Sequence, residues 1–89
     1  MSPMNWKGVR VLVTGAGGFI GSHLAEELAT KGARVRALVS YNGRSDWGYL
    51  EETPAKLRSR IEVRAGDVRD AHFVDDLVEG REVVFHLAA

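Results

Sequence analysis

Val9-Arg10-Val11-Leu12-Val13-Thr14, followed at once by Gly15-Ala16-Gly17-Gly18-Phe19-Ile20-Gly21, is the stretch on which the fold turns. The first six residues are mostly β-branched or apolar, as expected of a short strand buried on both faces rather than one alternating between core and water. A glycine cluster then ends the strand. From Phe19 onward Ile20, Leu24 and Leu28, with Ala25 and Ala29 beside them, recur at helical spacing, and Gly32 follows Lys31 where a helix closes.

The same alternation continues outward. Residues 35–39 repeat the strand pattern, 61–65 repeat it before Gly66-Asp67, and 83–87 form a fourth run. Between the second and third runs, Gly43, Gly48 and Pro54 interrupt the chain, leaving room for a short helix around 46–52 and a turn or two around 55–60. Asp70 reads as an N-cap, because Phe73, Val74, Leu77 and Val78 make a helical face behind it and Gly80 closes the segment. Strand and helix alternate throughout. This order predicts an α/β fold: the first half of a doubly wound parallel sheet, with four strands in the order 3-2-1-4. In that order the first two connections cover one face and only the 70–78 helix reaches the other. Apolar residues of the first and fourth strands, drawn from Val9, Val11, Val13 or Leu12 and from Val84, Phe85 and Leu87, are expected to meet water and to make the isolated chain self-associate.

Composition narrows the partners. Twelve Lys+Arg balance twelve Asp+Glu in 89 residues, of which 45% are hydrophobic. A chain without net charge has no long-range field to gather phosphates along a duplex or to hold a membrane surface, so no nucleic-acid or membrane partner is expected. The sequence holds no Cys, which excludes a disulfide framework and a thiolate metal site and favours a cytoplasmic setting. Residues 1–5 carry no signal-peptide pattern, and no apolar run approaches the ~18 residues of a membrane span. There is no internal repeat. The length falls below the ~100 to 150 residues of a typical domain, so the chain is expected to be part of something larger, with no second domain present.

The chemistry lies in the glycine turn. Gly15 lets the chain turn sharply off the strand, Gly18 removes the Cβ that would block a pyrophosphate, and Gly21 lets the helix pack closely on the sheet. Backbone N–H groups at the helix start then face the anion, and the helix dipole adds roughly 0.3 to 1 kcal/mol for a negative group there. The spacing is G-x-x-G-x-x-G, and its position between strand and helix reads as a dinucleotide turn rather than one packed for its own sake. His23, His72 and His86 share no ligand spacing on one element, so no metal site and no histidine catalysis are expected. Trp47 and Tyr49 would either shield a bound adenosine or pin their loop as a small cluster.

Thr14-Gly15-x-x-Gly18-Phe19-Ile20-Gly21-Ser22-His23-Leu24 resembles the cofactor fingerprint of the extended short-chain dehydrogenase/reductases, which include the sugar-nucleotide epimerases and dehydratases. Gly66-Asp67-Val68-Arg69-Asp70 and Val84-Phe85-His86-Leu87-Ala88-Ala89 match two further motifs of that group. The stretch Tyr41-Asn42-Gly43-Arg44-Ser45-Asp46-Trp47-Gly48-Tyr49-Leu50 is similar to the nucleotide-activated N-acetylglucosamine 4,6-dehydratases of legionaminic-acid synthesis, relatives of GDP-mannose 4,6-dehydratase. The resemblance implies that residues 1–89 are the amino-terminal half of an NAD(P)-binding Rossmann domain. Gly15, Gly18 and Gly21, with the backbone of Phe19 and Ile20, would hold the pyrophosphate. Asp67 and Val68 would line the adenine pocket, the alternative for Asp67 being a turn cap after Gly66. Leu87, Ala88 and Ala89 would lie beside the ribose and phosphates.

In the family reaction hydride leaves C4 of a hexose, water is lost across C5 and C6, and the hydride returns to C6, with a Tyr-x-x-x-Lys pair as acid/base. Here three residues of spacing lead from Tyr41 to Ser45 and from Tyr49 to Thr53, so neither tyrosine has its lysine. No catalytic residue is expected in this stretch, and the 89-residue chain should be inactive alone. The resemblance implies a sugar-nucleotide 4,6-dehydratase acting on a nucleotide sugar and homodimeric when whole. An epimerase or reductase of the same group, or a cofactor-sensing module without chemistry, remains the alternative. Either NAD or NADP fits. The second strand ends at Val39-Ser40 without the carboxylate that would repel a 2′-phosphate, and Ser40 with Arg44 could bind that phosphate, Arg36 being a weaker candidate inside the strand. Otherwise Arg44 is solvated and Ser40 with Asn42 bonds the 2′-OH of NAD.

Overall fold

The structure is a computed structural model that describes residues 5–40, 48–67 and 69–87, with the side chain of Ser40 outside that description. Four strands, β1 (Arg10–Thr14), β2 (Arg34–Ser40), β3 (Ile61–Gly66) and β4 (Val83–His86), pair in parallel in the order β3-β2-β1-β4. That is the order expected from the sequence, and the elements fall within a residue or two of the expected runs. Three helices connect the strands: α1 (Phe19–Thr30), the single turn α2 (Ala55–Arg58) and α3 (Ala71–Val78), with a 3-10 turn at Gly48–Glu52 ahead of α2. No helix among the described residues is long and apolar enough to cross a membrane.

The continuous apolar runs have a direct cause, because β1 and β2 are covered on both faces. On one face Val11, Val13, Val35, Ala37 and Val39 pack under Ala25, Leu28 and Ala29 of α1, joined by Leu50 of the 3-10 turn. On the other face Leu12 and Leu38 pack under Leu77 of α3, with Phe73 beside them. The helix ends follow their side chains. Gly32 N–H donates to Ala29 O and Ala33 N–H to Leu28 O, closing α1 on a Schellman motif, and Asp70 accepts the Phe73 N–H at 3.2 Å to open α3.

One expectation needs correction. The apolar residues Val11, Leu12 and Val13 of β1 do not meet water, because Val11 and Val13 pack on the α1 side and Leu12 packs with Leu38 under Leu77 of α3. Arg36 holds α3 there, donating from Nη1 to the Leu77 carbonyl at 2.8 Å while its Nε lies 2.7 Å from Glu62. On the β4 side of the α3 face Val84 is 47% exposed, and Leu87, just beyond the strand, is 45% exposed, whereas Phe85 turns to the α1 side and meets the Trp6 ring. The Arg36 side chain is thereby engaged with α3 and Glu62.

Candidate functional site

Thr14 pairs with His86 and with Leu38, and two residues farther on Ser40 pairs with Gly66, so the glycine turn, the end of β2, the β3 exit and the β4 exit share one end of the sheet. Ligands of open parallel sheets bind at this carboxyl end, in the crevice where strand order reverses. Here the reversal falls between β1 and β4.

The turn itself is built on backbone. Gly15 has φ 69°, the left-handed region that favours glycine, and its carbonyl accepts the Gly18 N–H at 3.1 Å. Ala16 is fully buried and donates its N–H to Leu38 O at 3.0 Å, anchoring the turn on β2. Gly18 sits at the N-cap of α1 with φ −78° and ψ 170°, extended backbone open to any residue, and a Cβ there would meet only Gly15 O at 3.4 Å. What glycine provides at 18 is space on the outer side. At Gly21 a Cβ would collide with backbone, lying 2.8 Å from Gly15 C and 3.0 Å from Ala16 Cα. Gly21 thus lets α1 approach the turn rather than the sheet, a refinement of the expected role.

The α1 N-terminus is left open. Its first intrahelical bond runs from Ser22 N–H to Gly18 O at 2.9 Å, and no side chain caps it. The amides of Phe19, Ile20 and Gly21 therefore have no acceptor among the described residues, and no acidic side chain lies in the first turn. Phe19 and Ile20 are 61% and 72% exposed, so the helix end faces outward. Open N–H groups, a dipole end and a missing Cβ together fit a phosphate-bearing cofactor.

Two features of the site were missed in the sequence. The 3-10 turn is strapped to the glycine turn by the Tyr49 N–H, which donates to Gly17 O at 2.9 Å. Gly48 makes this approach possible, since φ is +59° and a Cβ would sit 3.1 Å from Gly17 C. The Tyr49 ring meets Phe19 edge-on at 5.6 Å, which supports the loop-pinning reading of that aromatic. Secondly, the Thr14 hydroxyl accepts the Leu87 N–H at 3.0 Å and pairs with His86 Nδ1 at 2.9 Å, tying the β4 exit to the start of the turn. A polar residue closing an otherwise apolar strand was the available signal.

Asp67 follows β3 and makes a turn, accepting the Arg69 N–H on Oδ1 at 2.8 Å. The Arg69 guanidinium, and after it that N–H, hold the Asp67 carboxyl down at about 2, against an ordinary 3.8. The turn-capping alternative is thus what the described residues display. Gly66 has its own reason: the Phe73 ring lies where a Cβ would go, with Cε1 2.8 Å from it. Leu87 stands beside the glycine turn through its bond to Thr14. Of the remaining candidates, Ser40 is placed by its backbone only, and Arg44, Val68, Ala88 and Ala89 lie outside the described residues, as does Trp47.

The sequence matches the model of the GDP-mannose 4,6 dehydratase family over residues 12–89. The chain belongs to that family. It is 43% identical over 81 residues to a UDP-N-acetyl-alpha-D-glucosaminuronate decarboxylase of Bacillus cytotoxicus, covering 90% of this chain and 23% of that protein. To a dTDP-glucose 4,6-dehydratase of Mycolicibacterium smegmatis it is 37% identical over 81 residues, covering 91% of this chain and 24% of that protein. An NADH-dependent reductase, A1-R′, solved in complex with NAD superposes with a TM-score of 0.67 at 28% identity, covering 91% of this chain and 36% of the reductase. The chain thus spans about a quarter of the length of these family relatives.

Proposed function

We propose that the chain is the amino-terminal, cofactor-binding part of a longer sugar-nucleotide 4,6-dehydratase. The cofactor is NAD or NADP, bound with its pyrophosphate over the glycine turn. One observation carries this: the amides of Phe19, Ile20 and Gly21, at the carboxyl end of β1, have no acceptor among the described residues, and no acidic side chain lies in the first turn. Gly18 keeps the approach free, and Gly15 and Gly21 hold the helix end against the turn. Asp67 and Val68 take the adenine, Ser40 and Arg44 the 2′ position of its ribose, and Leu87, Ala88 and Ala89 the ribose and phosphates. When bound, the nicotinamide takes hydride from the sugar and returns it.

Decarboxylase and dehydratase relatives of similar identity support the coarser reading, a family of sugar-nucleotide enzymes. The family match over residues 12–89 and the similarity of residues 41–50 to dehydratases favour 4,6-dehydration. Incubating the longer enzyme with GDP-mannose or UDP-N-acetylglucosamine and NAD(P), then weighing the products, tests it. A 4-keto product lighter by one water is expected. An isomer of unchanged mass would point to an epimerase, and binding of cofactor without turnover of any nucleotide sugar to a sensor.

A further inference from the structure

Asp67 is engaged on both carboxylate oxygens before any ligand arrives. Its Oδ1 accepts the Arg69 backbone N–H at 2.8 Å and Arg69 Nε at 3.1 Å, and its Oδ2 accepts Nε at 3.0 Å and Nη2 at 2.7 Å. A carboxylate offers about four acceptor positions, and three N–H groups of one residue, the Nε–H shared between both oxygens, engage most of them. An amino group approaching Asp67 therefore competes with the Arg69 contacts. Displacement is easy, because the Arg69 side chain is 88% exposed and that of Asp67 47%, so the guanidinium exchanges its partner for water. Losing the guanidinium contacts leaves Asp67 in place, since the backbone N–H of Arg69 still donates to Oδ1 and the Asp70 N–H to the Asp67 carbonyl at 3.0 Å.

We infer that Arg69 competes with the adenine 6-amino group for Asp67, and so sets how strongly the site discriminates adenine from other purines. The inference rests on the proposed adenine role of Asp67. In that role the Arg69 guanidinium weakens the preference for an amino donor by engaging the acceptors first. The consequence is a site that reads the base loosely, and a single substitution at 69 sharpens it.

The test compares NAD with nicotinamide hypoxanthine dinucleotide, which carries a carbonyl where adenine carries its amino group. Affinities for both are measured on the longer enzyme, with Arg69→Ala and Arg69→Lys, at low and high salt. The affinity ratio cancels any general loss of positive charge near the phosphates, and the lysine variant keeps the charge while losing the bidentate fork. The expected result is a wild-type preference for NAD that rises by about two- to five-fold in both variants, and that salt raises in the wild type only. Should neither the wild type nor either variant show a preference, the adenine reading of Asp67 fails and the competition with it. A preference that is present but unchanged or lowered in Arg69→Ala and Arg69→Lys would overturn the competition alone.

Discussion

Replacing Gly18 with leucine separates a turn built for a ligand from one built for the fold. The backbone at 18 is extended, and a new Cβ would meet only Gly15 O at an ordinary 3.4 Å. The folded state therefore loses at most about 1 kcal/mol, through the poorer N-cap that leucine makes in place of glycine. Binding loses more. Hydrogen bonds to a charged group are worth roughly 1.5 to 3 kcal/mol each, so a side chain that forces the pyrophosphate off just one of the open amides weakens binding tenfold or more, about 1.4 kcal/mol or above. Gly21→Ala supplies the contrast. Its Cβ would stand 2.8 Å from Gly15 C, overpacking that costs about 1 to 3 kcal/mol and is only partly offset by the ~1 kcal/mol helix preference of alanine. Cofactor titration with thermal unfolding of both variants decides between them. A Gly18→Leu protein that binds cofactor as the wild type does, or that unfolds as readily as Gly21→Ala, would refute the reasoning.

Other outcomes follow from the packing and charges. Gly66→Ala forces the Phe73 ring aside and is expected to destabilise the protein by about 1 to 3 kcal/mol, with Phe73→Leu in the same chain recovering part of the loss; equal costs with and without the ring would exclude that contact. Asp67 has its pKa lowered to about 2, so its contribution to stability is complete above about pH 4 and is lost as pH falls toward 2. Acid unfolding of Asp67→Asn should lack that component, and a profile identical to the wild type would remove it. With Val84 and Leu87 nearly half exposed, the isolated 89-residue chain should associate with rising concentration in sedimentation, and Val84→Lys should reduce this.

Much of this was legible because it depends on neighbours in sequence. The β-branched runs of β1 and β2 announce strands buried on both faces, and Asp70 followed by Phe73 at capping distance announces α3. Gly15 and Gly18 stand out because a strand-to-helix turn constrains few residues. What escaped depends on residues distant in the chain. Gly48 reads as punctuation until the Tyr49 N–H is seen on Gly17 O, and Gly66 reads as a loop residue until the Phe73 ring covers it. The burial of Leu12 depends on Leu77 of α3, sixty-five residues away, whose carbonyl also accepts from Arg36, rather than on any local pattern.

The central claim is that the backbone amides opening α1 receive the cofactor's pyrophosphate. Amide NMR of the longer enzyme during titration with NAD, and separately with NADP, tests it most directly. The N–H signals of Phe19, Ile20 and Gly21 are expected to move together and to saturate with the binding isotherm of at least one cofactor, as donors without an acceptor among the described residues would. Saturable cofactor binding that leaves those three signals in place would contradict it.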